Sequence, residues 1–178
     1  MNEKIVYDGF LKIEKGLITQ DGKTFERERL KVKPVVAALV YHDERDVYLF
    51  TKQYRFGVNE PVVEIVAGLL ETGELPEEAI RREVQEELGY EARFVGHLKT
   101  IYTSPGISSE VVHIYLCSVN GEPNNAGGLK EEGEAIETVA LTTKQILACL
   151  KNGSFTDAKT MVAAMHWRRS MWKIGTWP

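Results

Sequence analysis

Between Pro76 and Gly89 the chain carries two patterns that fit together only on a helix. Ile80, Val84 and Leu88 recur every fourth residue and form an apolar stripe. Glu83, Glu86 and Glu87 stand at i, i+3 and i+4 and share another face. Pro76 suits a helix start, where its missing N–H costs little. Gly89 suits the stop, where the backbone turns left-handed. Such a helix buries one side and shows three crowded carboxylates on another. Like charges so close are unfavourable unless something cationic or aqueous relieves them. A hard ion such as Mg²⁺ or Mn²⁺ does so, and so does water on an ordinary acidic surface. The helix alone leaves both readings open.

The segments around it read mostly as strands. Short strands are expected near Ile5 to Tyr7, Phe10 to Ile13 and Leu17 to Thr19, with turns at Gly16 and Asp21-Gly22. Apolar runs follow at Val35 to Tyr41, Val47 to Thr51 and Pro61 to Val66. Strand patterns return at Ala92 to Ile101, Glu110 to Cys117 and Ile136 to Leu141, with a polar loop over Asn120 to Glu134. Two helices are expected at the end, Thr143 to Lys151 and Thr156 to Lys173, the second with Thr156 as N-cap. Strands interleaved with helices imply an α/β fold, a mixed sheet between helical layers. We divide the chain into an N-terminal β segment, 1–33, and a main domain, 34–178.

With 178 residues, 43% hydrophobic and 27% charged, the chain has the composition of an ordinary globular domain. A net charge of -4 argues against a dedicated nucleic-acid binder but not against a small phosphorylated ligand served by a metal. Cys117 and Cys149 lie far apart and make no metal spacing, so both are expected as reduced core residues. Residues 1–10 contain no apolar signal region and no run reaches membrane-spanning length, so a cytoplasmic location is expected.

The spacing around the acidic helix is specific. From Gly68 it runs Gly, five residues, Glu74, seven residues, Arg82-Glu83, an aliphatic Val84, one residue, Glu86-Glu87, one residue, Gly89. This resembles the signature of the Nudix hydrolase family, departing only at Tyr90, where an aliphatic residue is usual. The resemblance implies a Nudix-type α/β/α sandwich with a mixed β-sheet and an N-terminal β-rich segment. It implies that Glu83, Glu86, Glu87 and the backbone carbonyl of Ala67 hold divalent metal, Mg²⁺ with Mn²⁺ possible. Arg82, Gly68, Glu74 and Gly89 would shape the motif. The implied reaction is water attack on a phosphorus of a nucleoside diphosphate linked to a second group.

Further segments resemble one branch of that family, the ADP-ribose and nucleoside diphosphate sugar pyrophosphatases. Ser104-Pro105-Gly106, leading to Glu110, looks like its Ser-Pro-Gly loop, which implies that Ser104 and Glu110 bind the terminal sugar. Gln53-Tyr54-Arg55 resembles a segment whose arginine contacts phosphate, which suits the forked donors of Arg55. Glu64 to Gly68 also matches, with Val66 where proline is usual. The acid-rich stretch Glu131 to Glu137 matches a loop that delivers the general base, Glu134 in the first place and Glu132 in the second. The same branch implies a homodimer that exchanges N-terminal strands, with Phe10 and a partner's Arg27 against the nucleobase.

The expected activity is therefore magnesium-dependent hydrolysis of a nucleotide sugar, ADP-ribose to AMP and ribose 5-phosphate. GDP-mannose or another nucleotide sugar is the first alternative, and a nucleotide-sugar-binding sensor without turnover the second. No nucleic-acid or membrane partner is expected. An NADH-type activity is disfavoured, since no zinc-ribbon cysteines precede the motif.

Overall fold

The computed structural model describes residues 3–128 and 135–174. The chain opens with an antiparallel three-stranded sheet of β1 (Lys4–Asp8), β2 (Lys12–Gln20) and β3 (Lys23–Lys31), in that order. The turn expected at Gly16 is not made. β2 runs straight through it, with Gly16 opposite Arg27. The turn expected at Asp21-Gly22 is made, with φ angles of 52° and 73°, the left-handed pair that suits a two-residue loop. β3 carries no apolar alternation to announce it. Charged residues occupy both of its faces, and only Leu30 is even half-buried.

The main sheet has seven strands. They are β4 (Val35–His42), β5 (Val47–Arg55), β6 (Glu60–Glu64), β7 (Val66–Leu69), β8 (Phe94–Tyr102), β9 (Val111–Val119) and β10 (Glu137–Leu141). The order is β10-β5-β4-β9-β8, with β6 on β5 and β7 on β4. β4 and β9 are parallel and the other pairs antiparallel, so the sheet is mixed, as expected.

Helix α1 (Pro76–Leu88) covers one face, and α2 (Thr143–Asn152) and α3 (Ala158–Ile174) cover the other. Central strand β4 is apolar from Val35 to Val40 because both of its faces are covered. Val36, Ala38 and Val40 pack with Ile80, Val84 and Leu88 of α1. Ala37 and Leu39 pack with Ile146 of α2 and with Ala163, Ala164 and Trp167 of α3. This is the sandwich that the sequence led us to expect. Both cysteines are free, Cys117 buried and Cys149 half-buried.

Three boundaries differ from expectation. The run Pro61 to Val66 is two strands, because Ile65 leaves the sheet and its N–H donates to Thr160 Oγ1 at 2.9 Å. β5 continues through Gln53, Tyr54 and Arg55, which pair with Val62, Pro61 and Glu60. Thr156 does not cap the last helix. That helix starts at Ala158, and Asp157 Oδ2 accepts the Thr160 N–H at 2.9 Å, the bond an N-cap makes.

Candidate active site

Helix α1 starts from an extended Leu75 (φ −78°, ψ 142°) with Pro76 at its first position, and the Leu75 N–H donates to Glu78 Oε2 at 3.3 Å. It ends at Gly89, φ 76°, whose N–H donates to the Gln85 carbonyl. Only glycine suits that corner: a Cβ there would fall 2.6 Å from the Asn124 carbonyl oxygen.

The acidic face is held at close quarters. Glu83 and Glu87 are 8% and 4% exposed. The Glu83 carboxylate lies directly over Gly68, where a Cβ would come within 2.0 Å of Glu83 Cδ. Arg82 is the hub beside it. Its Nε and Nη2 donate to Glu74 Oε1 and Oε2, both at 3.0 Å, a bidentate pair. Its Nη1 donates to Glu83 Oε1 at 2.6 Å and Glu86 Oε2 at 3.1 Å, and Nη2 also reaches the Leu69 carbonyl at 3.2 Å. The Glu74 pairing raises the Arg82 pKa above the ordinary guanidinium range, and Arg82 in turn lowers that of Glu74.

The donor set fits a hard divalent cation. It offers three carboxylates on one face, a wall that only glycine at 68 leaves open, and the backbone of Ala67 beside it. Among the described residues, however, no three acids converge as a finished cage. The Arg82 guanidinium holds Glu83 and Glu86 in this structure.

A cavity of about 1000 Å³ opens over this face. Ala67, Gly68, Arg82, Glu83, Glu86 and Glu87 form one wall. Arg55, at the end of β5, enters from another, and its Nε donates to Glu64 Oε2 at 2.6 Å. Glu110, just before β9, also lines the cavity, and its Oε2 accepts the Thr103 hydroxyl. Phe10, in the β1–β2 turn, stands at the rim fully exposed. The expected residues do not all meet there. Ser104 is half-buried outside the lining, and its carbonyl closes the loop turn by accepting the Ile107 and Ser108 N–H groups. Arg27 lies on exposed β3 against the Phe25 ring, away from its own chain's cavity. Glu132 and Glu134 fall outside the described residues. Just before that stretch, Gly127 and Gly128 donate to the carbonyls of Glu87 and Glu86 at 3.1 Å each, so the chain leaves from the end of α1.

Lys159 was not anticipated. It lines the cavity from the first turn of α3, and its Nζ donates to Glu64 Oε1 at 2.6 Å and Asp157 Oδ1 at 2.9 Å. Buried Glu64 thus sits between two cations, Arg55 and Lys159. The only sequence signal was a lysine in a helix's first turn, where the helix dipole disfavours positive charge.

The family model described as NUDIX domain matches residues 31–162. The chain is 35% identical over 146 residues to an ADP-ribose pyrophosphatase of Bacillus subtilis (strain 168), which covers 82% of this chain and 78% of that one. It is 31% identical over 175 residues to a GDP-mannose pyrophosphatase of Escherichia coli (strain K12), with 91% and 90% covered. A methanol dehydrogenase activator of Bacillus methanolicus is 34% identical over 146 residues, with 82% and 78% covered. A solved structure of an ADP compounds hydrolase superposes with a TM-score of 0.80 at 21% identity, over 98% of this chain and 94% of the other, and so shares the fold.

Proposed function

The chain belongs to the Nudix family and is a pyrophosphohydrolase, and from that premise we propose that it hydrolyses ADP-ribose to AMP and ribose 5-phosphate with Mg²⁺. The observation that carries this reading is the shared cavity. Glu83, Glu86 and Glu87 of α1 line it together with the forked cation of Arg55 and the carboxylate of Glu110. Its volume of about 1000 Å³ suits a ligand with two sugars and a diphosphate between them.

Family members generally work with a divalent metal. Here Glu83, Glu86, Glu87 and the Ala67 carbonyl would hold it, with Mn²⁺ as a substitute. When bound, the ion supplies positive charge to the diphosphate and makes water a better nucleophile. The chain's own residues do the rest. Arg55, oriented by Glu64 through Nε, grips phosphate oxygens through its two remaining guanidinium nitrogens. Arg82, fixed by Glu74, keeps Glu83 and Glu86 aligned along the cavity wall. Glu110 accepts from the terminal sugar's hydroxyls, the role also expected of Ser104, which stands outside the lining. Glu134, with Glu132 as the substitute, takes the proton from the attacking water. Phe10 stacks on the base at the rim, its full exposure leaving a face for it.

A homodimer is part of the reading. Ile5, Val6, Tyr7, Leu17, Ile18 and Phe25 leave apolar surface exposed on the N-terminal sheet, which a second copy would cover. That copy would bring the partner subunit's Arg27 to the base. No helix among the described residues is long and apolar enough to cross a membrane, and we place the enzyme in the cytoplasm.

GDP-mannose is the second reading, favoured by a relative of that activity whose match extends over 91% of the chain. A substrate panel with Mg²⁺, read by product mass, tests both. ADP-ribose yielding AMP well ahead of GDP-mannose, ADP-glucose, UDP-glucose, NADH and GTP is the expected result. GDP-mannose leading overturns the substrate. Binding without cleavage of any member points to a sensor.

A further inference from the structure

β3 does not end with its own small sheet. The Leu30 N–H donates to the Ile107 carbonyl at 2.8 Å, and the Leu30 carbonyl accepts the Ser109 N–H at 3.0 Å. These bonds form a parallel bridge centred on Leu30 and Ser108. Five residues later the same chain direction resumes as the parallel β4–β9 ladder, with Val35 opposite Val112. The partner offset is 78 at the bridge (108 − 30) and 77 in the ladder (112 − 35). One extra residue is therefore accommodated between Leu30 and Val35, as in a bulge.

An unbroken ladder would next pair the Val32 N–H with the Ser109 carbonyl and the Val32 carbonyl with the N–H of residue 111. Here the Ser109 side chain takes both places. Val32 N–H donates to Ser109 Oγ at 3.0 Å, and Ser109 Oγ–H donates to the Val32 carbonyl at 3.2 Å. A hydroxyl suits this position because a single atom both donates and accepts.

The two segments so joined both reach the cavity. Lys33 and Val35 line it after Val32, and Glu110 and Val112 line it after Ser109. Glu110 is further fixed by its own N–H, which donates to Ser108 Oγ at 3.1 Å. We propose that Ser109 is a positioning residue that, by standing in for a strand partner of Val32, sets Glu110 where it meets the terminal sugar of the substrate. The inference rests on the reading of Glu110 as a sugar ligand given above.

The test is a steady-state cycle of S109A, E110Q and the double variant on ADP-ribose. AMP serves as an inhibitor that lacks the terminal sugar. E110Q fixes the benchmark, a KM raised about tenfold with kcat within about threefold, as for lost uniform binding. S109A should raise KM comparably, leave the AMP inhibition constant unchanged and add little in the E110Q background. S109T, which keeps the hydroxyl, should restore KM, and amide exchange at Val32 should quicken in S109A alone. If S109A does not fold, S109C carries the same comparison. E110Q raising KM while S109A does not overturns the inference and spares the sugar reading. E110Q without effect breaks the sugar reading itself. S109A shifting kcat, KM, AMP inhibition and thermal midpoint together reduces Ser109 to a structural residue.

Discussion

Helix α1 and the β2–β3 hairpin are both dense in charge, yet they are held by opposite means. α1 rests on Ala79, Ile80, Val84 and Leu88, each fully buried against the sheet. Its ion pairs sit on top of an apolar seat, so the carboxylates need not hold the helix in place. The hairpin has no such seat. Glu14 is its one buried residue, and it accepts from Arg29 Nη2 at 2.6 Å and Lys31 Nζ at 2.7 Å. Lys15 pairs with Glu26 at 2.8 Å and Glu28 at 3.4 Å across the strands. Leu17, Ile18 and Phe25 remain exposed. Exposed ion pairs contribute little each, so the hairpin's charges fix register while Leu17 on one face, and Ile18 with Phe25 on the other, stay open to another surface. Where burial supplies the stability, charge is available for chemistry; where it does not, charge is spent on structure.

The comparison can be broken most strongly at α1's carboxylates. Glu83→Gln and Glu87→Gln should each lower kcat by about a hundredfold or more while the far-UV spectrum stays native. A fall in helix content would mean that these charges do hold the helix. Next come the apolar seats. Leu88→Ala should destabilise the chain by about 2–5 kcal/mol in urea unfolding, whereas Leu17→Ala should stay within about 0.5 kcal/mol for the monomer. Equal losses would erase the distinction, and a large Leu17→Ala effect that grows with protein concentration would reveal the covering partner.

The smallest effect is the hairpin's response to acid. Hydrogen bonds from Lys31 and then Arg29 hold the Glu14 carboxyl below its ordinary value of 4.5. A carboxyl depressed in the folded state contributes fully above its unfolded pKa and loses that contribution as pH falls through the folded one. Amide protection in β2 and β3, taken relative to the intrinsic exchange rate at each pH, should therefore fall below pH 4.5, and in Glu14→Gln it should lose that pH dependence. Unchanged protection in the wild type would show that the ladder alone holds the hairpin.

The same contrast explains what could be read in advance. α1 was legible because its period, its proline and its glycine agree with its burial. The main strands were legible where apolar residues run together. β3 was not, because Lys23 to Lys31 has no buried face to impose a period. The break at Ile65 was hidden inside an apolar run, since what makes it is the hydroxyl of Thr160, distant in sequence. Lys159 and Ser109 act through Glu64 and Val32, partners that only the folded chain supplies. The carboxylates of α1 could be assigned to one face from spacing alone, but the clasp of Arg82 on Glu83 and Glu86 could not.

The most direct test of the account is AMP release from ADP-ribose against Mg²⁺ concentration, for wild type and the Glu83→Gln/Glu87→Gln double variant, with the thermal midpoint recorded at each concentration. The account predicts saturable Mg²⁺-dependent turnover and a metal-induced rise in midpoint for the wild type, with both abolished in a double variant that is as stable as the metal-free wild type. A double variant that still turns over, or that keeps the metal-induced rise, would contradict the assignment of the metal to this helix face.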